Sequence, residues 1–149
     1  MQTFIPYPDY IKTAESLDDL RLVNQCCNES VRLYDGKWSS HPASKMWRDH
    51  RFHFTLYNLA LATEWVKRRE QHGKDSTNAY KWFTFWANEG IKLRHGDTTA
   101  PSWIGDDRVH STHRSCLLAK NLDWYSQFGW SEKPTPPDEN GKWSYHWAV

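Results

Sequence analysis

Cysteine is scarce in this chain, and the few present are poorly placed for crosslinks. There are three in 149 residues. Cys26 and Cys27 are adjacent, and neighbours on a helix point in different directions, so they make poor disulfide partners. Cys116 stands alone. With no Cys-x-x-Cys pair, the usage fits a reducing compartment. The G-x-S-x-G elbow and the glycine pattern of a phosphate loop are also missing, which removes two familiar kinds of enzyme site. Net charge is only +1, so there is no global basic field. Any nucleic-acid contact must come from local clusters. No apolar run approaches transmembrane length. The opening M-Q-T-F-I-P-Y-P has no continuous apolar stretch and two prolines interrupt it, so it does not read as a signal peptide. A soluble, cytoplasmic protein with no membrane partner is expected.

Tryptophan, by contrast, is abundant, with ten in the chain. These rings supply large core volume, and a few can stack on bases. The rest of the pattern is helical. Residues 1–12 are expected to be extended, because Pro6 and Pro8 bias their predecessors away from helix. Phe4, Ile5, Tyr7 and Tyr10 predict that this arm packs on the body. Ser16 to Gly36 reads as one helix, capped by Ser16, with Asp18 and Asp19 in its first turn and Gly36 as its stop. A short helix follows from Pro42 to about Arg48. A long one runs from Phe52 to His72 and closes at Gly73, its seam Leu56, Leu59, Thr63 and Val66 widened by Tyr57, Leu61 and Trp65. Ala79 to Glu89 is a further helix, ended by Gly90. Asp106 caps a last main helix to about Asn121, and Asp123 to Gln127 adds a turn. The aromatics of the K-W-S-Y-H-W tail are expected to dock back. No repeat or linker divides the chain, so the expectation is one compact all-α domain over residues 1–149.

Two helices carry candidate chemistry. In the first, Leu20, Val23, Cys27, Val31 and Tyr34 recur at spacings of three and four and predict a core face. A second stripe holds Arg21, Asn24, Gln25, Asn28 and Arg32. Arginines with amides between them can clamp phosphates and read base edges, and the same pattern also describes a solvated face. In the last main helix, H-S-T-H-R-S-C-L-L-A-K places His110, His113, Arg114 and Lys120 near one another. That is either a phosphate-gripping surface or an ordinary amphipathic helix. The His pairs at 110/113 and 50/53 lack a third ligand at matching spacing, so no metal site is predicted.

Taken together, these stretches resemble the pyrimidine-dimer DNA glycosylase family, the endonuclease V type of phages and bacteria, in its M-Q-T-F branch. The resemblance rests on M-Q-T-F-x-P-Y-P, on L-D-x-x-R-L-x-x-Q at Leu17 to Gln25, and on H-P-x-x-x-M-W at His41 to Trp47. It continues with P-x-W-x-G-D at Pro101 to Asp106, H-x-x-H-R-S-x-L-L-x-K, and W-Y at Trp124 and Tyr125. It implies a helical fold whose N-terminal arm threads between helices. It implies a DNA-repair enzyme acting on double-stranded DNA as a monomer, with no metal or organic cofactor. The nucleophile would be the chain's own α-amine, which attacks the sugar C1′, releases the base and forms an imine. β-Elimination then nicks the strand. An α-amine has a pKa well below that of Lys, so more of it is unprotonated near neutral pH.

Carried onto this chain, the amine belongs to Met1, because initiator methionine is removed mainly before small residues and Gln2 is bulky. Processing would hand the amine to Gln2. The family's catalytic Glu, counted from R-L-x-x-Q, falls on Asn28. Glu29 is next, but one residue is about a 100° turn of a helix, so it is expected to point elsewhere. The DNA-contacting set is Arg21, Gln25, Arg32, His41, His110, His113, Arg114 and Lys120. An Asn cannot carry the charge of a carboxylate. The alternative expectation is therefore a relative that binds DNA or processes another modified pyrimidine without dimer glycosylase activity.

Overall fold

The computed structural model describes residues 2–149, and among these there is helix but no strand. Residues 2–5 have no regular structure, the chain bends through residues 6–9 around Pro6 and Pro8, and helix begins directly after Asp9. Asp9 Oδ1 accepts the Lys12 N–H, and helix α1 runs Tyr10–Ser16. The arm is thus about a turn shorter than the prolines alone predict, because a good cap follows them directly.

The arm lies between helices, and its backbone groups bond to side chains in place of a sheet. The Trp47 indole donates to Thr3 Oγ1 at 2.9 Å and the Tyr57 hydroxyl to Phe4 O at 2.7 Å. His110 and His113 hold Ile5 from both sides, and Arg114 Nη1 donates to Pro6 O at 2.8 Å.

Ser16 is not the cap of the next helix. It ends α1, its hydroxyl donating to Thr13 O, and Asp18 caps α2, Asp19–Asn24, by accepting the Arg21 N–H. The helical path continues through a wide turn, Gln25–Glu29, into α3, Ser30–Tyr34. In that turn the Ser30 N–H reaches Gln25 O, one residue further back than an α-helix requires. Gly36 then turns the chain with φ +75°. The buried face is Leu22, Gln25, Cys26, Ser30 and Leu33. Val23, Cys27, Val31 and Tyr34 flank it, and Leu20 is 70% exposed. The expected apolar stripe is therefore the shoulder of the core face.

Helix α4 is Pro42–Trp47, α5 is Arg51–Gln71, α6 is Thr77–Leu93, α7 is Asp107–Lys120 and α8 is Leu122–Tyr125. On α5 the widening residues Tyr57, Leu61 and Trp65 are buried, as are Ala62 and, from the expected seam, Val66. Leu56, Leu59 and Thr63 instead line an open apolar groove against Tyr10, Ile11 and Ala14 of α1. Helix α6 runs straight through Gly90. A Cβ there would lie 3.1 Å from Thr55 Oγ1. The glycine lets α5 and α6 approach closely and does not end the helix. Asp106 caps α7 as expected, accepting the Arg108 N–H.

The C-terminal tail docks back on α7. Thr135 N–H donates to Ser115 O and His146 N–H to Thr112 Oγ1. Trp130 stacks on Tyr125 and donates to the Tyr7 hydroxyl at 2.7 Å. Among the described residues, no helix is long and apolar enough to cross a membrane.

Candidate active site

The arm, the wide turn, the end of α7 and the tail meet around a pocket of about 200 Å³. Its walls are Gln2 and Phe4, Asn24, Gln25 and Glu29, Lys120, and Trp143 and Tyr145. The wide turn explains why Glu29 is there. Such a turn accommodates one extra residue, so the residues at its end take the azimuth their predecessors would have in an unbroken α-helix. Glu29 therefore comes round to the position that simple counting gives to Asn28. Asn28 is exposed, and its amide donates to Asn24 Oδ1 at 2.9 Å. The expectation that Glu29 points away is overturned by this single wide turn.

A tertiary contact holds the turn. The Ser30 N–H goes to Gln25 O, so Cys26 O does not receive it, and the buried Trp86 indole donates to Cys26 O at 3.1 Å. Trp86 lies on α6, so a distant helix supplies a bond that an α-helical turn would have made locally.

The pocket is chemically mixed. Lys120 Nζ sits 3.6 Å from the centre of the Trp143 ring. Partial burial holds its pKa below the ordinary lysine value, and the charge of Arg21 adds to this. Gln2 and Gln25 are both buried. Gln2 Oε1 accepts the Thr3 N–H, while Gln2 Nε2 and Gln25 Oε1 have no hydrogen-bond partner among the described residues. A buried donor and acceptor left open on one pocket wall are costly in the empty protein and suited to a polar ligand.

A family model described as pyrimidine dimer DNA glycosylase matches residues 1–78, just over half of the 149 residues. The chain belongs to that family. No curated protein and no solved structure matches it. The matched region contains the arm, the wide turn and α5, and so supplies the Gln2, Asn24, Gln25 and Glu29 side of the pocket. Membership places the protein among DNA-repair glycosylases, enzymes whose substrate is DNA.

Within this glycosylase fold the sequence-predicted residues separate. Gln2, Gln25, Glu29 and Lys120 come together at the pocket, and Asn28 does not. Met1 lies outside the described residues. Arg21 stands beside the pocket, its guanidinium 2.8 Å from Asp18 Oδ2, and Asn121 bonds the same carboxylate. Arg32 is exposed. His41 caps α4, its Nδ1 accepting the Ala43 N–H, and meets Trp147 edge-on. Burial lowers its pKa.

His110, His113 and Arg114 are taken up by the arm, contrary to the phosphate-gripping reading. His110 Nε2 accepts the Gly105 N–H, which leaves the ring proton on Nδ1 to donate to Ile5 O at 2.8 Å. His113 Nδ1 accepts the Ile5 N–H at 2.8 Å. Both rings are buried, and burial lowers both pKa values, that of His113 to about 3. Arg114 is held by Glu132, Asp107 and Pro6 O. None of the three has a free face for a phosphate. Sequence reasoning did not single out Trp143 or Tyr145 as wall residues. Their nearness to Lys120 depends on how the tail folds back, and no local spacing encodes that.

Proposed function

We propose that the protein is a DNA glycosylase with abasic-site lyase activity on pyrimidine dimers or a related damaged pyrimidine, acting through its N-terminal amine with Glu29 as the catalytic carboxylate. One observation carries the reading: Gln2 and Glu29 line the same small pocket. Covalent geometry keeps the α-amine of Met1 within about 5 Å of the Gln2 Cα. An amine and a carboxylate are the two groups this chemistry needs, and Glu29 lines the same pocket as Gln2, the amine's chain neighbour.

The amine attacks C1′ and the C1′–N bond to the base breaks. Positive charge develops on the sugar, and a nearby carboxylate stabilises it and accepts a proton from the amine. The departing base takes the electron pair of its bond and a proton from water, and the carboxyl group returns its proton to the ring oxygen as the C1′–O4′ bond breaks, giving the protonated imine. Removal of a C2′ proton then expels the 3′ phosphate by β-elimination. The pocket is smaller than the roughly 300–1,000 Å³ of drug-sized sites, so it holds the reacting sugar with at most one base ring, the second pyrimidine of a dimer staying outside, and the nucleotide leaves the stack to reach it. The open amide atoms of Gln2 and Gln25 suit the polar edge of a base. Lys120 supplies positive charge where the backbone enters. On this reading Glu29 takes the role that Asn28 cannot, and its place on the pocket wall favours a catalytic over a non-catalytic relative.

Borohydride trapping tests the proposal. The expected result is a covalent adduct with duplexes containing an abasic site or a dimer, lost when the N-terminus is acetylated. Absence of any adduct with both substrates defeats it.

A further inference from the structure

Of the ten tryptophans, Trp38 alone is exposed, at 42%. It sits on the turn between α3 and α4. His41 N–H donates to Trp38 O at 2.9 Å, and Arg48 Nη2 donates to Ser39 O at 2.7 Å. The ring is therefore presented on a braced turn. Lys37, Lys45, Arg48 and Arg32 are exposed in the flanking sequence and outnumber its exposed Asp35 and Asp49.

Trp38 is also joined to the pocket. Its ring meets His41 edge-on at 6.4 Å, His41 meets Trp147 at 5.6 Å, and Trp147 meets Tyr145 at 5.5 Å. Tyr145 is a pocket wall. A row of rings thus runs from the cavity to the protein surface and ends in an indole among cations. Neither the pocket chemistry nor the packing of the core explains a large apolar ring left out in that setting.

We propose that Trp38 is a stacking wedge: it enters the duplex beside the pocket and occupies the space left when a nucleotide is drawn out. This rests on the reading of the pocket as a nucleotide site. Flipping costs stacking and pairing, and an inserted apolar side chain offsets part of that cost. The neighbouring cations hold the phosphates on either side while the ring, tolerant of any base, stacks on the one left behind. Trp38 is thus a positioning residue that acts on duplex opening and not on the sugar chemistry.

The test compares Trp38→Ala and Trp38→Phe with wild type in single-turnover nicking at a pyrimidine dimer, in duplex and in single-stranded DNA. A wedge is needed only in the duplex. W38A is expected to slow duplex nicking about 10- to 100-fold, to leave single-strand nicking unchanged, and to be largely rescued in W38F. Equal duplex rates for W38A and wild type overturn the proposal, as does equal loss on both substrates. A second readout needs no chemistry. 2-Aminopurine placed beside a non-cleavable tetrahydrofuran site is expected to be quenched by the stacked indole with wild type and not with W38A. That keeps failure of the wedge separate from failure of the catalytic reading, which shows as no nicking by wild type.

Discussion

The path from α2 through the wide turn to α3 and helix α7 carry the same kind of sequence. Each has polar and cationic side chains at helical spacing over an apolar face. They serve opposite purposes. On the first, Asn24, Gln25 and Glu29 look into a cavity, and two buried amides, Gln25 and its neighbour Gln2, have atoms with no partner among the described residues. On α7, His110, His113 and Arg114 look at the N-terminal arm and are bonded to its backbone. The lesson is that a polar stripe on a helix does not identify a ligand surface. What faces the stripe does, and a segment of the same chain can take the place a phosphate would occupy. The two helices depend on each other, since α7 fixes the arm that brings Gln2 to the carboxylate of the other.

The sharpest way to break this comparison is at Glu29. Glu29→Gln is expected to lower glycosylase turnover by at least about 100-fold with little change in melting temperature, whereas Asn28→Ala is expected to stay within a few-fold. Exchanging the two residues, Asn28→Glu with Glu29→Asn, keeps composition and charge and is expected to be as slow as the Gln variant. Deleting Cys27 removes the extra residue of the wide turn and leaves the glutamate aimed at the pocket. Its activity is expected within about tenfold of wild type. Wild-type rates in the exchanged variant would show that the wide turn does not aim the carboxylate.

Helix α7 is expected to respond in stability. His113→Ala loses a buried hydrogen bond and opens a void, with a cost of about 3 kcal/mol in chemical unfolding. The pH dependence has a definite sign. The folded His113 pKa is depressed to about 3, below the roughly 6.5 of an unfolded chain. Its contribution is fully present above pH 6.5 and is lost as pH falls toward 3, with a slope of about 1.4 kcal/mol per pH unit for one proton. His113→Asn retains an acceptor for the Ile5 N–H but cannot titrate, so its stability profile should be flatter by that one proton. An unchanged slope would place the titration elsewhere.

Lys120 is the exception on α7, since it alone of the four faces the pocket. Lys120→Met is expected to reduce the slope of log binding constant against log salt by about one, the effect of a single phosphate contact. Arg114→Met should leave that slope unchanged while lowering the melting temperature. This is the smallest of the expected effects and bears most directly on which α7 residue meets DNA.

Much of the fold was legible locally. Asp106 caps α7 and Gly73 follows α5 because capping chemistry acts over three or four residues. The prolines keep the arm out of helix for the same reason. Other signals were local but weighed wrongly: Asp18 caps the helix that Ser16 was expected to cap, Asp9 caps a helix that was not expected, and Gly90 reads as a stop although α6 runs through it against Thr55. Of the site, Gln2, Gln25 and Lys120 were readable as candidates, and Glu29 was named but assigned the wrong direction.

The amino-acid sequence by itself determined the all-α class, the packed arm and the family, because periodicity, capping and motif order are written along the chain. Only the tertiary structure decided which carboxylate faces the pocket and which imidazoles are unavailable to DNA. The wide turn has Trp86 as a donor to Cys26 O from 60 residues away. The orientation of His113 is fixed by Ile5 from 108 residues away. Bonds of that reach have no local signature, since they depend on where a different helix or the arm comes to rest.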